Sequence, residues 1–103
     1  MAGFIDKAKN AYKLQKEAKA IKEELKKTHI EAEEGGITVT VTGEQEIVSI
    51  SIPDDKWNEL KNAEFGKKHV ETSVLRAVNK GVKKAQEIGS ERMKGVFNQL
   101  GMM

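Results

Sequence analysis

The sequence predicts an α+β fold: a long helix, a three-stranded antiparallel sheet, a short helix and a long C-terminal helix, in a chain that pairs with itself. Three observations carry this reading. Residues 4–27 are rich in Ala, Lys, Glu and Leu and contain neither Pro nor Gly. Residues 28–52 switch to a period of two, interrupted by glycines, and residues 67–100 return to apolar steps of three and four. Period 3.6 marks a helix with one apolar stripe, and period two marks a strand with one apolar face.

The first segment is made of strong helix formers. Ala11, Leu14, Ala18, Ile21 and Leu25 form a narrow seam, with Phe4 on the same stripe. Such a seam is expected where one helix packs along another. From Phe4 to Lys27 the helix would be about 36 Å long at roughly 1.5 Å per residue, more than a small globule covers.

In the middle, Thr28 to Glu34 alternates weakly before Gly35-Gly36. Ile37 to Thr42 then alternates strictly between branched apolar residues and Thr, and Ile47 to Ile52 follows a break at Gly43-Glu44. β-Branched alternation with glycine turns predicts a meander. Its apolar face holds Ile37, Val39 and Val41 with Val48, Ile50 and Ile52, and its Thr/Ser face is wetter. Pro53 ends the third strand because it donates no ladder hydrogen bond. Asp54 and Asp55 then suit the start of a short helix containing Trp57 and Leu60, with Trp57 and Phe65 covering the sheet or joining it to the next element.

Gly66 precedes the last helix, from about Lys67 to Leu100. Its stripe includes Val74, Leu75, Val78, Val82, Ala85, Met93, Val96 and Leu100. Gly81 lies on the same face and would permit close helix contact, while Gly89 would mark a bend. The whole reads as one domain over residues 1–103. With one Trp, one Tyr and three Phe, the core of one copy is thin. Both long stripes and the apolar sheet face therefore predict a homodimer.

Charge is segregated. Residues 1–28 carry eight Lys against four acids, residues 29–66 two Lys against nine acids, and residues 67–103 eight Lys and Arg against three acids. Basic helical ends flank an acidic centre, a pattern that favours a polyanion meeting the ends. On a wheel of 100° per residue, Lys9, Lys13, Lys16 and Lys27 oppose the seam of the first helix, with Lys19 on its flank and Tyr12 in the same sector. On the last helix Arg76, Lys80, Lys83, Lys84 and Lys94 turn away from the Val78 stripe. Arg92 falls near that stripe, as Lys7 does on the first helix, and Arg92 joins the candidates because Arg suits phosphate geometry. These ridges either contact an anion or simply solvate their helices. The excess of Lys over Arg favours phosphates over base edges, with Asn79 and Asn98 the only side chains nominated for a base.

Other chemistry is poorly represented. Without Cys there is no disulfide, thiolate metal site or thiol nucleophile. His29 and His69 stand in no metal-ligand spacing, Gly35-Gly36 lacks the Lys and Ser/Thr of a phosphate-binding loop, and no catalytic triad emerges. The expectation is a protein that is not an enzyme and uses no metal, cofactor or small-molecule substrate. No apolar run reaches the length of a membrane span, and charged residues from Asp6 onwards leave no signal-peptide core. A cytoplasmic location follows as the expectation.

Three blocks carry a resemblance. They are Ala11-Tyr12-Lys13-Leu14-Gln15-Lys16-Glu17 continuing to Leu25, then Gly36 to Gly43 followed by Ile47 to Asp54, and Leu75-Arg76-Ala77-Val78-Asn79-Lys80 continuing through Lys83 to Met93. In this order the chain resembles the YbaB/EbfC family of bacterial nucleoid-associated proteins. The resemblance implies a homodimer with a central sheet-and-helix body, helical ends projecting tweezer-like towards double-stranded DNA, a place in the nucleoid, and an architectural effect on DNA conformation and gene expression. Two features depart from the family: its Met-rich first helix is here largely Lys and Ala, and its Gly/Pro-rich tail is the short Gly101-Met102-Met103. The alternatives are a helical adaptor or prefoldin-like chaperone subunit, and attachment to an anionic membrane through the first helix, which its Ala-rich seam disfavours.

Overall fold

A computed structural model of the protein describes the backbone of residues 2–99 and the side chains of residues 7–96 and of Asn98. The elements run α1 (Ala2–Lys27), β1 (His29–Glu34), β2 (Ile37–Thr42), β3 (Ile47–Ser51), α2 (Asp54–Lys61) and α3 (Gly66–Gln99). This is the α+β order that the periodicities predict. The side chain of Phe4, Leu100 and the tail 101–103 lie outside the described residues.

Helix α1 stops where its last carbonyls find partners outside the helix. Thr28 Oγ1 donates to the Glu24 carbonyl at 2.9 Å, and the Leu25 carbonyl accepts from Thr28 N at 3.2 Å and Gly43 N at 2.9 Å. These bonds satisfy acceptors that a helix end leaves open. Lys26 and Lys27 in the last turn complement its negative dipole end. Gly43 is required by proximity: a Cβ there would stand 2.7 Å from the Leu25 carbonyl oxygen.

The sheet has the order β1-β2-β3, antiparallel throughout. Glu34 opposes Ile37 across a two-residue turn, and Gly35 and Gly36 both hold positive φ, 57° and 86°. That conformation matches the right-handed twist of the strands and is cheap only for residues such as glycine. The β2–β3 connection is longer, with positive φ at Gln45 and Thr42 Oγ1 accepting from the backbone N–H of Glu44 and Glu46, each at 3.2 Å. A register shift beside Thr40/Val41 places Ile47 opposite Val41 and Ile50 opposite Val39. The bulge therefore puts Ile47, rather than Val48, into the expected apolar row.

Helix α3 lies across the apolar face of β1 and β2. Ile37, Val39 and Val41 are fully buried, and Ile30, Val39, Val41, Ala77 and Ala85 form the core with Val78, Val82 and Ile88 packed against it. Complete burial of each large aliphatic side chain contributes about 1.5–3 kcal/mol. Ala77, Gly81 and Ala85, one turn apart, let the helix approach closely. A Cβ on Gly81 would stand 2.6 Å from Val41 Cγ2, so the close contact this glycine permits is that of α3 with the sheet. α3 runs through Gly89 and is continuous to Gln99.

Pro53 precedes α2, whose first turn carries Asp54 and Asp55. Leu60 is buried, whereas Trp57 and Phe65 are exposed; of the two expected roles, covering the sheet is not theirs, and both stand in the segment that joins β3 to α3. Beyond the sheet, α1 and α3 run antiparallel: Glu24 meets Arg92, Leu25 lies beside Gly89, and Leu25 and Val96 are buried. The molecule extends 74 × 21 × 13 Å with a radius of gyration of 20.2 Å, against about 13 Å for a compact chain of roughly 100 residues.

Candidate nucleic-acid interface

The elongation comes from α3, about 50 Å long over its 34 residues, and from the part of α1 that runs on beyond its end. With Glu24 level with Arg92 in an antiparallel pair, Gln99 reaches about Glu17, and the earlier turns of α1 continue past the last described residue of α3. Lys9, Lys13 and Lys16 are exposed on this stretch and Lys19 just inside the paired part, with Tyr12 among them at 69% exposure. They span about 15 Å of helix. None of the four takes part in an ion pair among the described residues, where the pairs are Lys26–Glu23, Lys56–Glu59, Lys80–Glu34 and Arg92–Glu24. Lys94 is exposed on the neighbouring end of α3. Among the described residues, the arm thus bears lysines that no ion pair neutralises.

The other nominated cations occupy different surroundings. Lys27 is exposed where α1 meets the sheet, and Lys83 is exposed midway along α3. Lys80 Nζ donates to the Glu33 carbonyl at 3.3 Å and pairs with Glu34 Oε1 at 3.7 Å. Lys84 Nζ donates to the Glu31 carbonyl at 3.4 Å. These two lysines therefore strap α3 to the outer edge of β1. Arg92 binds the Glu24 carboxylate; that hydrogen bond, and then the attraction of the charges, raise its already high pKa. Arg76 stands apart from the arm, at the β1–β2 turn with Lys68 and His69.

The acids are elsewhere. Ile30 and Ala32 point into the core, so by strand alternation Glu31 and Glu33 project from the opposite face of the sheet, where both are exposed. One broad face is acidic and the arm is basic. Lys22, which the wheel reading does not nominate, is exposed and lines the same cleft as Met93 where the two helices meet. Among the described residues no group of three His, Cys, Asp or Glu is placed to hold a metal ion, and no helix is long and apolar enough to cross a membrane.

Comparison with known proteins gives a consistent result. The sequence model of the YbaB/EbfC DNA-binding family matches residues 1–100. A nucleoid-associated protein of Acetivibrio thermocellus is 31% identical over 101 residues, covering 90% of this chain and 80% of its own length. A nucleoid-associated protein of Afipia carboxidovorans is 31% identical over 104 residues, covering 99% and 94% respectively. The crystal structure of an uncharacterised Helicobacter pylori protein shares the fold, with a TM-score of 0.63, 24% identity and coverage of 96% of this chain and 91% of that one.

Proposed function

This chain belongs to the YbaB/EbfC DNA-binding family, and from that membership we propose a nucleoid protein that binds duplex DNA as a homodimer, mainly through phosphate contacts from its α1 arms. The observation that carries this reading is the row Lys9, Lys13, Lys16 and Lys19, exposed and outside every ion pair of the described residues. A duplex offers one charge per roughly 1.7 Å of axis, so such a row faces several phosphates at once. Ammonium groups act as point charges and carry little base information. Binding is accordingly broad in sequence, and the architectural effect on DNA comes from how two arms hold it. Lys94 and Lys83 extend the contact along α3, while Lys80, Lys84 and Arg92 serve the protein's own structure first. The nucleoid-associated names of the two relatives agree with this reading.

Dimerisation is supported by the sheet. Ile50 opposes the fully buried Val39 yet is itself 50% exposed, and Leu75 on the adjoining side of α3 is 62% exposed. With Ile47 and the half-buried Val78 and Val82, they continue the core outwards as an apolar strip. A second copy of the chain is the proposed cover.

Titration of duplex binding against salt tests the proposal. Log affinity falls linearly with log salt, with a slope near −0.9 per neutralised phosphate. Replacing Lys9, Lys13 and Lys16 together by Gln removes six such contacts from a dimer and flattens the slope by roughly five. An unchanged slope overturns the assignment to the arm.

A further inference from the structure

A second concentration of unneutralised cations lies at the other end of α3. The Gly35-Gly36 turn backs onto the helix so closely that a Cβ on Gly35 would collide with Ser73, and His69 Nε2 sits 3.1 Å from the Gly35 carbonyl oxygen. Above this floor opens a cleft with Lys68, Thr72 and Arg76 along one side and Phe65 at its end. Lys68, Thr72 and Arg76 occupy successive i, i+4 positions, so their side chains are neighbours on one helix face. Neither cation belongs to an ion pair of the described residues, and the one carboxylate on the rim, Glu34, is engaged by Lys80 at 3.7 Å. Phe65 is 72% exposed, a large apolar ring with no core duty.

We infer that this cleft binds a nucleotide unit, its phosphate held between Lys68 and Arg76 and its base stacked on Phe65. The guanidinium offers a fork of N–H donors to phosphate oxygens and the ammonium adds a point charge. The Thr72 hydroxyl supplies a further donor. An exposed aromatic beside such cations is a stacking platform that tolerates any base, provided the base is unstacked from its neighbours. The ligand is therefore a free mononucleotide or the single-stranded end of a nucleic acid, and the site is separate from the duplex contact proposed for α1.

The test is a titration of the ¹⁵N-labelled full chain at constant ionic strength with inorganic phosphate, AMP and a short single-stranded deoxyoligonucleotide. AMP is expected to give saturable amide shifts centred on Gly35, Gly36 and residues 68–76, with half-saturation roughly tenfold below that of inorganic phosphate because of stacking. Phe65→Ala should bring AMP to the level of phosphate, and Lys68→Gln/Arg76→Gln should abolish both responses. Folding of each variant is read from the same spectra, and the single Lys68→Gln variant should give an intermediate response. The Lys9→Gln/Lys13→Gln/Lys16→Gln variant keeps the AMP response, so failure of the arm proposal and failure of this one are distinguishable. An oligonucleotide that shifts the same amides identifies a strand end as the source. One that leaves them unmoved while AMP shifts them identifies a free nucleotide. Shifts that never saturate, that spread equally over α1, or that survive in Lys68→Gln/Arg76→Gln overturn the inference.

Discussion

Glycines decide several local contacts in this protein, and their substitution separates space from backbone conformation. At Gly43 an added Cβ meets the Leu25 carbonyl at 2.7 Å, a backbone atom that cannot step aside without opening the joint between α1 and the β2–β3 turn. Gly43→Ala is expected to lower stability by about 1–3 kcal/mol, as overpacking does elsewhere, measured by urea unfolding. Gly95 is the opposite case. It lies in the interior of α3, and a methyl group added there would meet nothing within 4 Å among the described residues. Gly95→Ala should therefore stabilise by roughly 0.5–1 kcal/mol through helix propensity alone. Equal effects at the two positions would remove the packing argument.

Among the elements, α3 carries different duties on its three flanks. Its sheet-facing stripe of Ala77, Gly81 and Ala85 is narrow and small, which brings the helix close to Val41. On the β1 side Lys80 and Lys84 donate to carbonyls of the edge strand. Those acceptors would otherwise be open to another strand, so the lysines also discourage edge pairing. On the β3 side the helix is apolar and ends in exposed Leu75. Lys80→Met with Lys84→Met keeps the aliphatic stems and removes the ammonium contacts. It is expected to speed hydrogen exchange in β1 and to change duplex affinity far less than the triple arm variant. A loss of affinity as large as that of the arm variant would move these two lysines from the fold to the DNA contact.

For the whole molecule the governing facts are its 74 Å length and the uncovered strip on β3 and α3. Burial of apolar surface is the main favourable term in association, and a charge placed in such a strip must be desolvated when a second copy docks. Ile50→Lys with Leu75→Lys is therefore expected to give monomers in sedimentation equilibrium at concentrations where the parent chain is dimeric. Monomeric arms hold half as many phosphates, so the salt slope of duplex binding should fall by about half in the same variant. A parent chain that sediments as a monomer would leave the strip without its proposed cover.

Much of this protein was legible in the order of its residues. Propensity and period act over a few neighbours, and they suffice for a helix ending at Lys27, strands bounded by Gly35-Gly36 and Pro53, and a last helix beginning near Gly66. Charge segregation and the three matched blocks pointed to the family for the same reason: both are properties of the chain as written. Tertiary structure decided which cations remain available. A helical wheel groups Lys80 and Lys84 with Lys83 and Lys94 and sets Arg92 near the stripe, yet β1 engages Lys80 and Lys84, α1 engages Arg92, and Lys83 and Lys94 take part in no ion pair among the described residues. It also set Ile47 by a bulge, left Trp57 and Phe65 in solvent, and brought Lys68, Arg76 and the glycine turn together. The contacts of His69, Lys80 and Lys84 depend on partners more than 30 residues away in the chain, and no local periodicity encodes which distant backbone oxygen a lysine will reach.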